Sequence, residues 1–362
     1  MRSFLQIQVG LVMLSATARL SAGDCGCSKI SRETEKDVLD KSPSATLLVD
    51  NRTEEGVCNF LSYEDVMENA ASYSKRGKMV LIPKGKFIMG NNNEDLFWDD
   101  GEHPEREVYI NAFYMDETEV TNEQFAVFVE ETNYVTDSEK FNDSVVFDQQ
   151  ITEIARKQNL ITSVPMAPWW YNVKGAYWKQ PFGVGSSWTD LKDHPVVTVS
   201  WNDAVAYCKW AGKRLPTEAE WEYACRGGKN KKDFPWGNNM KPFNKHRANT
   251  WTGVFPKHND EEDGFKWTAP SRSFPPNDFG LYEMTGNVWE WVEDWWTAMH
   301  HKGPLYNPRG PDDGVEKVKK GGSFMCHISY CNRYRCSGRH YNTPDTSATN
   351  LGFRCVRSVP VY

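Results

Sequence analysis

The sequence predicts a compact domain in which short strands come first, helices follow, and a long second half is mostly irregular. Three observations carry that reading. Met79 to Met115 holds short apolar runs with tight connections, three helix-start signals stand between Thr121 and Gly228, and from Gly228 onward short aromatic pieces are separated by Gly, Pro, Asn and Asp. A chain of 362 residues can bury a sizeable core, as one large domain or two ordinary ones. Hydrophobic residues make 39% and charged residues 25%, which argues against disorder throughout; the long middle lacks the apolar run a membrane span needs. A balance of 42 basic to 49 acidic residues argues against a nucleic-acid partner held by phosphate neutralisation. Trp, at 15 residues, is as abundant as Tyr, so aromatic area serves both core packing and a groove.

In chain order, residues 1–22 read as a secretory signal: Arg2, the mostly apolar run Leu5 to Leu14, then Ser21-Ala22-Gly23, with cleavage near Ala22. Residues 23–77 are a polar extension containing Cys25 and Cys27, with one helix near Tyr63 to Tyr73. The domain occupies 78–362. Met79 to Ile82 and Phe87 to Gly90 are short strands around the turn Pro83-Lys84-Gly85-Lys86, and Val108 to Met115 is a third. Thr121-Asn122-Glu123-Gln124 is a capping-box pattern opening a helix with Phe125, Phe128 and Val129 on one face. Ser200-Trp201-Asn202-Asp203 opens a second helix through Ala211, stopped by Gly212. Thr217-Glu218-Ala219-Glu220 opens a third through Cys225, stopped by Gly227-Gly228. Beyond these, only Gly286 to Trp296 is long enough for a regular helix. Irregular backbone needs ties, and the available ones are disulfides, metal ions and buried Trp.

Nine cysteines behind a secretory signal imply disulfides, and the odd total leaves at least one thiol unpaired or paired between molecules. The sequons Asn51-Arg52-Thr53 and Asn142-Asp143-Ser144 fit passage through a glycosylating compartment.

Five segments together are far more specific than any one: Ser200-Trp201-Asn202-Asp203-Ala204, Gly212 to Glu222 (Gly-Lys-Arg-Leu-Pro-Thr-Glu-Ala-Glu-Trp-Glu), Gly286-Asn287-Val288-Trp289-Glu290-Trp291, Gly321-Gly322-Ser323 and Gly352-Phe353-Arg354. With them the chain resembles the formylglycine-generating enzyme family, also called sulfatase-modifying factors, from about Met79 to Val356. The cysteine-rich run Cys326 to Cys336 resembles its catalytic eukaryotic branch. The resemblance implies a single compact α+β domain related to C-type lectin-like folds, poor in regular secondary structure and stabilised by disulfides and calcium. It implies an oxidase that uses copper(I) and O2, with a thiol reductant, to convert the cysteine of a Cys-x-Pro-x-Arg motif in unfolded sulfatase polypeptides to formylglycine. The location it implies is the lumen of the endoplasmic reticulum, with partial secretion.

Cys326 and Cys331 are five residues apart, a spacing that requires a turn if both are to reach one site. Two thiolates in such a loop suit a soft ion that accepts few ligands. An ordinary disulfide is the alternative for any anonymous pair, and zinc held by Cys326, Cys331, Cys336 and His340 is another, although that spacing matches no common zinc signature.

By resemblance, Cys326 and Cys331 are the catalytic copper ligands and Ser323 the active-site hydroxyl, while Cys208 pairs with Cys355 and Cys225 with Cys336. Glu119, Asp143 and Ser144 supply part of the peptide groove, with Trp169 or Trp170 as an apolar wall and Trp289 and Tyr330 as groove aromatics. The motif's Arg needs an acidic partner, which Asp143 or Glu119 provides. Two calcium sites are implied: Asn249, the Thr250 carbonyl, Asp263 and the Phe265 carbonyl; and Glu283, the carbonyls of Gly286 and Val288, and Glu290. Cys25 and Cys27 resemble cysteines that bond to luminal thiol partners, and Cys58 matches no family role. Two rivals remain: a non-catalytic lectin-like binding protein on the same fold, against which both cysteines argue, and an iron-dependent sulfoxide synthase, whose histidine cluster is missing here.

Overall fold

The computed structural model describes residues 76–359, apart from 94, 95, 97 and 166. The signal segment, the extension with its helix near Tyr63 to Tyr73, the Asn51 sequon, Cys25, Cys27 and Cys58 lie outside the described residues.

The strand Met79–Ile82 forms where the sequence places it, whereas the second, Gly85–Met89, takes in Gly85 and Lys86 of the expected turn, and the two belong to different sheets. The first pairs antiparallel with Phe113–Asp116, which also takes Val356–Ser358; the second pairs antiparallel with Arg106–Ile110. The Pro83-Lys84 connection therefore carries the chain from one sheet to the next. For the same reason the single strand expected from Val108 to Met115 is broken at Asn111-Ala112, because each half serves a different partner.

Among the described residues five α-helices follow: α1 (Asn122–Thr132), α2 (Asp137–Phe141), α3 (Glu153–Lys157), α4 (Trp201–Trp210) and α5 (Glu218–Arg226). Helices α1, α2, α4 and α5 start with complete capping boxes, in which the side chain at the cap accepts from the third helical N–H and the residue there returns the bond. Gly227 closes α5 at φ 55°, a left-handed conformation that glycine takes without steric cost. The buried face of α1 places Phe125 against Trp178, Tyr207 and Phe353, so the central helix packs on the strand Leu351–Phe353 through rings.

Gly286 to Trp296 is not a helix. Its core is the strand Trp289–Trp295, flanked by Lys317–Lys320 antiparallel on one side and Leu351–Phe353 parallel on the other. Residues 289–292 are buried, so both faces of this strand carry large side chains and the alternation that marks a strand is hidden. A separate sheet pairs Asp143–Phe147 with Trp170–Lys174, and that strand in turn with Ile161–Ser163.

Disulfides join Cys208 on α4 to Cys355 and Cys225 on α5 to Cys336, with Cα atoms 5.8 and 5.5 Å apart. They span 147 and 111 residues and tie two capped helices to the irregular C-terminal third. Chain-entropy arguments assign bridges of such length about 4 to 5 kcal/mol each.

The first turns of α2 and α4 meet in a buried acid pair. Asp203 accepts from the backbone N–H of Ser200 and Asp137 and from the Tyr134 hydroxyl, at 2.8, 3.1 and 3.0 Å. Burial and the neighbouring Asp137 push its carboxyl from 3.8 up to about 7. A carboxyl raised on folding contributes stability that is present below the unfolded value and is lost as pH rises toward 7. Asp203→Asn should therefore flatten the fall in unfolding free energy between about pH 4 and pH 7, by at most about 1.4 kcal/mol per unit. An unchanged slope in denaturant titrations would show that Asp203 is ionised throughout.

Candidate functional site

The loop that follows Lys317–Lys320 carries both cysteines through two turns. The backbone N–H of Cys326 bonds the Ser323 carbonyl at 2.9 Å, and the N–H groups of Tyr330 and Cys331 both return to the His327 carbonyl, at 3.1 and 2.8 Å. Two successive turns thus replace the regular element that would have separated positions 326 and 331. Both sulfurs are fully buried and belong to neither disulfide. Tyr334 lies beside both: burial raises its phenol above the ordinary range, and charge on Cys326 and Cys331 raises it further. Asp100 stands near Cys331, paired with Arg333 at 2.6 and 3.0 Å; burial raises its carboxyl, and Arg333 opposes that shift. Ser323 is buried, its Oγ accepting from the Asn350 amide at 3.1 Å and from the Met325 N–H at 3.3 Å.

Asn350 ends a segment that leads back to an acidic recess. Asp143 and Ser144 line this recess with Asn172, Asp345 and Ser347, and the Ser144 and Ser347 hydroxyls share a hydrogen bond of 2.7 Å. From the recess, Asp143–Phe147 runs to an aromatic cluster in which Phe147 packs on Trp251 and Phe255, and Phe255 stacks on Tyr330 with centroids 4.2 Å apart. Trp169 packs edge-on against Phe255 from the other side. The Tyr330 hydroxyl donates to the Met325 carbonyl, which fixes the ring beside Cys331. The buried strand Asp143–Phe147 thus links the recess at its start to an aromatic cluster at its end, and that cluster reaches the cysteine loop through Tyr330.

Three groove assignments need correction. Glu119 is fully buried: it accepts from the Asn287 amide at 3.1 Å, and burial with the nearby Glu283 and Glu290 drives its carboxyl well above the usual range, although Arg354 opposes this. Trp170 is a core residue at 0% exposure, so the apolar wall belongs to Trp169. Trp289 sits in the central strand at 1% exposure, its ring beside His340, and does not reach the surface. The zinc alternative fails as well, because Cys336 is bonded to Cys225.

The oxygen-rich loops are arranged around Asn287. Asn249 donates to the Trp267 carbonyl and to Asn287 Oδ1, leaving its own Oδ1 buried without a hydrogen-bond partner. Asp263 accepts from the N–H groups of Thr250 and Phe265 at 2.8 and 3.1 Å, which folds the loop so that these residues converge. In the second group, Glu283 accepts from the N–H of Arg272 and Phe274, while Glu290 holds Arg354 through both oxygens at 2.8 Å. One Glu119 oxygen is buried and unpartnered beside them. Gly286, whose N–H bonds the Gly321 carbonyl, and Val288 lie between Glu283 and Glu290 in the chain. Orphaned buried oxygens in both groups fit a hard cation. Among the described residues no three His, Cys, Asp or Glu side chains converge on one point, so such a cation would rely largely on carbonyls.

Two buried cysteines outside both disulfides thus stand on one loop of an α+β domain with little regular structure. Residues 63–359 match the sulfatase-modifying factor enzyme 1-like domain, and the chain belongs to that family. It is 56% identical over 279 residues to the formylglycine-generating enzyme of Bos taurus, covering 77% of this chain and 74% of that protein. It is 44% identical over 283 residues to the inactive C-alpha-formylglycine-generating enzyme 2 of Mus musculus, covering 77% and 85%. Among solved structures, PvdO from Pseudomonas aeruginosa superposes with a TM-score of 0.55 at 23% identity, over 79% of this chain and 95% of that one, a likeness of fold.

Proposed function

We propose that this chain oxidises the cysteine of a Cys-x-Pro-x-Arg motif in unfolded sulfatases to formylglycine, in the lumen of the endoplasmic reticulum, with copper(I) at Cys326 and Cys331. The observation that carries this is the pair of buried cysteines, outside both disulfides, on one loop of two successive turns. The two thiols are soft donors held by backbone turns, which suits a soft ion of low coordination number. Bound there, copper(I) supplies the redox contact between dioxygen and the substrate thiol. The net change consumes one O2 and two reductant thiols. The substrate β-carbon becomes an aldehyde, its sulfur leaves as hydrogen sulfide, and water and a reductant disulfide are formed.

The chain's own groups orient the peptide. Asp143 to Phe147 spans four residue steps, about 13 Å in extended chain, and the motif's cysteine and arginine are also four steps apart. The motif's arginine is placed at Asp143 and Asp345, which line the recess together. The motif's proline and its neighbours meet Trp169, Phe255 and Tyr330, which keep water away from the reacting carbon. Ser323, held by Asn350, offers a hydroxyl whose orientation is set by bonds it accepts.

Incubating the purified protein with a motif peptide, copper and a thiol reductant should lower the peptide mass by about 18, the replacement of a thiol and two hydrogens by an aldehyde. An unchanged mass overturns the proposal. Charge reversal of Asp143 should weaken binding of motif peptides roughly tenfold or more, and affect peptides with the arginine replaced much less, since only the former lose an ion-pair contact. Equal losses would remove Asp143 from the arginine site. Calcium at the Asn249–Asp263 and Glu283–Glu290 groups predicts that chelation lowers the melting temperature and that calcium restores it. A melting temperature indifferent to chelator would argue against both sites.

A further inference from the structure

A cavity of about 390 Å³ lies apart from the cysteine loop, between the start of α5, the ends of Gly85–Met89 and Arg106–Ile110, and the loop from Thr297 to Pro311. Its charged lining is mostly satisfied. Glu218 takes Arg339 through Nε and Nη2 at 2.7 and 2.8 Å and Lys320 at 3.4 Å. Arg309 pairs with Glu293, and Asp294 accepts from the N–H groups of Glu218 and Gly310 at 2.7 and 2.6 Å. Arg106 is different. It is 6% exposed, donates to the Pro104 carbonyl at 3.2 Å, and forms no ion pair among the described residues.

The surrounding charges do not compensate it. Arg106, Arg226, Lys320 and Arg339 face Glu218 and Glu222, and all six are at least nine-tenths buried. Even with Asp294 ionised the cluster keeps a positive excess. A buried cation without a partner costs several kcal/mol, so an excess of this kind marks a place where a counter-charge enters. The ring of His300, also on the cavity wall, reports the same field: burial, Arg339 and Arg106 hold its pKa down to about 3. Met89, Trp295, Leu305 and two prolines supply the remaining walls, and the volume is several times what a bare oxyanion fills.

We infer that this cavity binds a small organic anion, its carboxylate or sulfate-ester head on Arg106 and its apolar body against Met89 and Leu305. A guanidinium fork matches such a head with two parallel bonds. An organic cation would meet carboxylates already occupied by Arg339, Lys320 and backbone N–H groups.

The test is calorimetric titration of the intact chain with benzoate, phenyl sulfate, inorganic sulfate and benzyl alcohol at fixed ionic strength. The two aromatic anions should bind saturably at one site, inorganic sulfate roughly tenfold or more weaker, and benzyl alcohol not at all. Arg106→Gln should lower the affinity for the aromatic anions roughly tenfold or more. Where that variant fails to fold, Leu305→Trp, which narrows the cavity, should weaken the same ligands. In the unaltered chain the ring resonances of His300 should shift with the calorimetric midpoint. No saturable binding, equal affinity for inorganic sulfate, undiminished binding by a folded Arg106→Gln protein, or an unmoved His300 would each overturn the assignment. These are binding measurements, so their outcome is independent of turnover on sulfatase peptides.

Discussion

Replacing either Cys326 or Cys331 by Ser should abolish formylglycine formation and tight copper(I) binding together, while the melting temperature changes by only a few degrees. A hydroxyl nearly matches a thiol in size, so the two turns around His327 can close as before. It is a hard and very weakly acidic ligand, so it cannot replace a soft thiolate. Neither residue contributes to the bridges Cys208–Cys355 and Cys225–Cys336, which hold α4 and α5 to the C-terminal third. A structural disulfide between 326 and 331 would behave in the opposite way. Its loss would lower stability by about 2 to 5 kcal/mol while activity per folded molecule survived. Copper affinity and thermal unfolding on the same variants separate the two. Intact copper binding with a large stability loss would favour a non-catalytic binding protein of the same family.

What the sequence makes legible are features whose signal is local. The capping boxes at Thr121, Ser200 and Thr217 each lie within four consecutive residues, and each starts a helix. The cysteine loop is visible because a five-residue separation demands a turn. Where the structure departs from expectation, burial or distance hides the signal. Gly286 to Trp296 is a central strand buried on both faces, so its pattern of 288, 289, 291 and 292 imitates a helical stripe. Glu119 is assigned to the groove by resemblance alone, and no local pattern reveals that it is buried with Glu283, Glu290 and Arg354. Asp345 and Ser347 complete the recess, but Ser347 lies 203 residues from its partner Ser144. No local pattern links them. Phe255 is similarly silent until it is seen between Trp169 and Tyr330.

Arg354→Met should cost about 3 to 5 kcal/mol, a loss that for a domain of this size lowers the melting temperature by roughly ten degrees. Arg354 is fully buried. It forms a two-pronged pair with Glu290 at 2.8 and 2.8 Å and donates further to the carbonyls of Tyr282, Glu117 and Asp116, at 2.9, 3.3 and 3.4 Å. One side chain therefore joins the central strand to the segment after Phe113–Asp116 and to the loop that carries Glu283. It also opposes the burial that drives the carboxyls of Glu119 and Glu283 upward. Methionine fills much of the volume but leaves the Glu290 carboxyl buried with only the Trp221 indole N–H, and removes one donor from the carbonyls of Tyr282, Glu117 and Asp116. The cost arises from what is left unpaired. Adding Glu290→Leu should therefore recover part of the loss, because the second change removes the stranded charge. Denaturant unfolding of both single variants and the double variant measures this coupling directly. Additive losses, or a loss under about 1 kcal/mol for Arg354→Met, would mean that water reaches Glu290 once the guanidinium is gone, and that the pair specifies this arrangement without stabilising it.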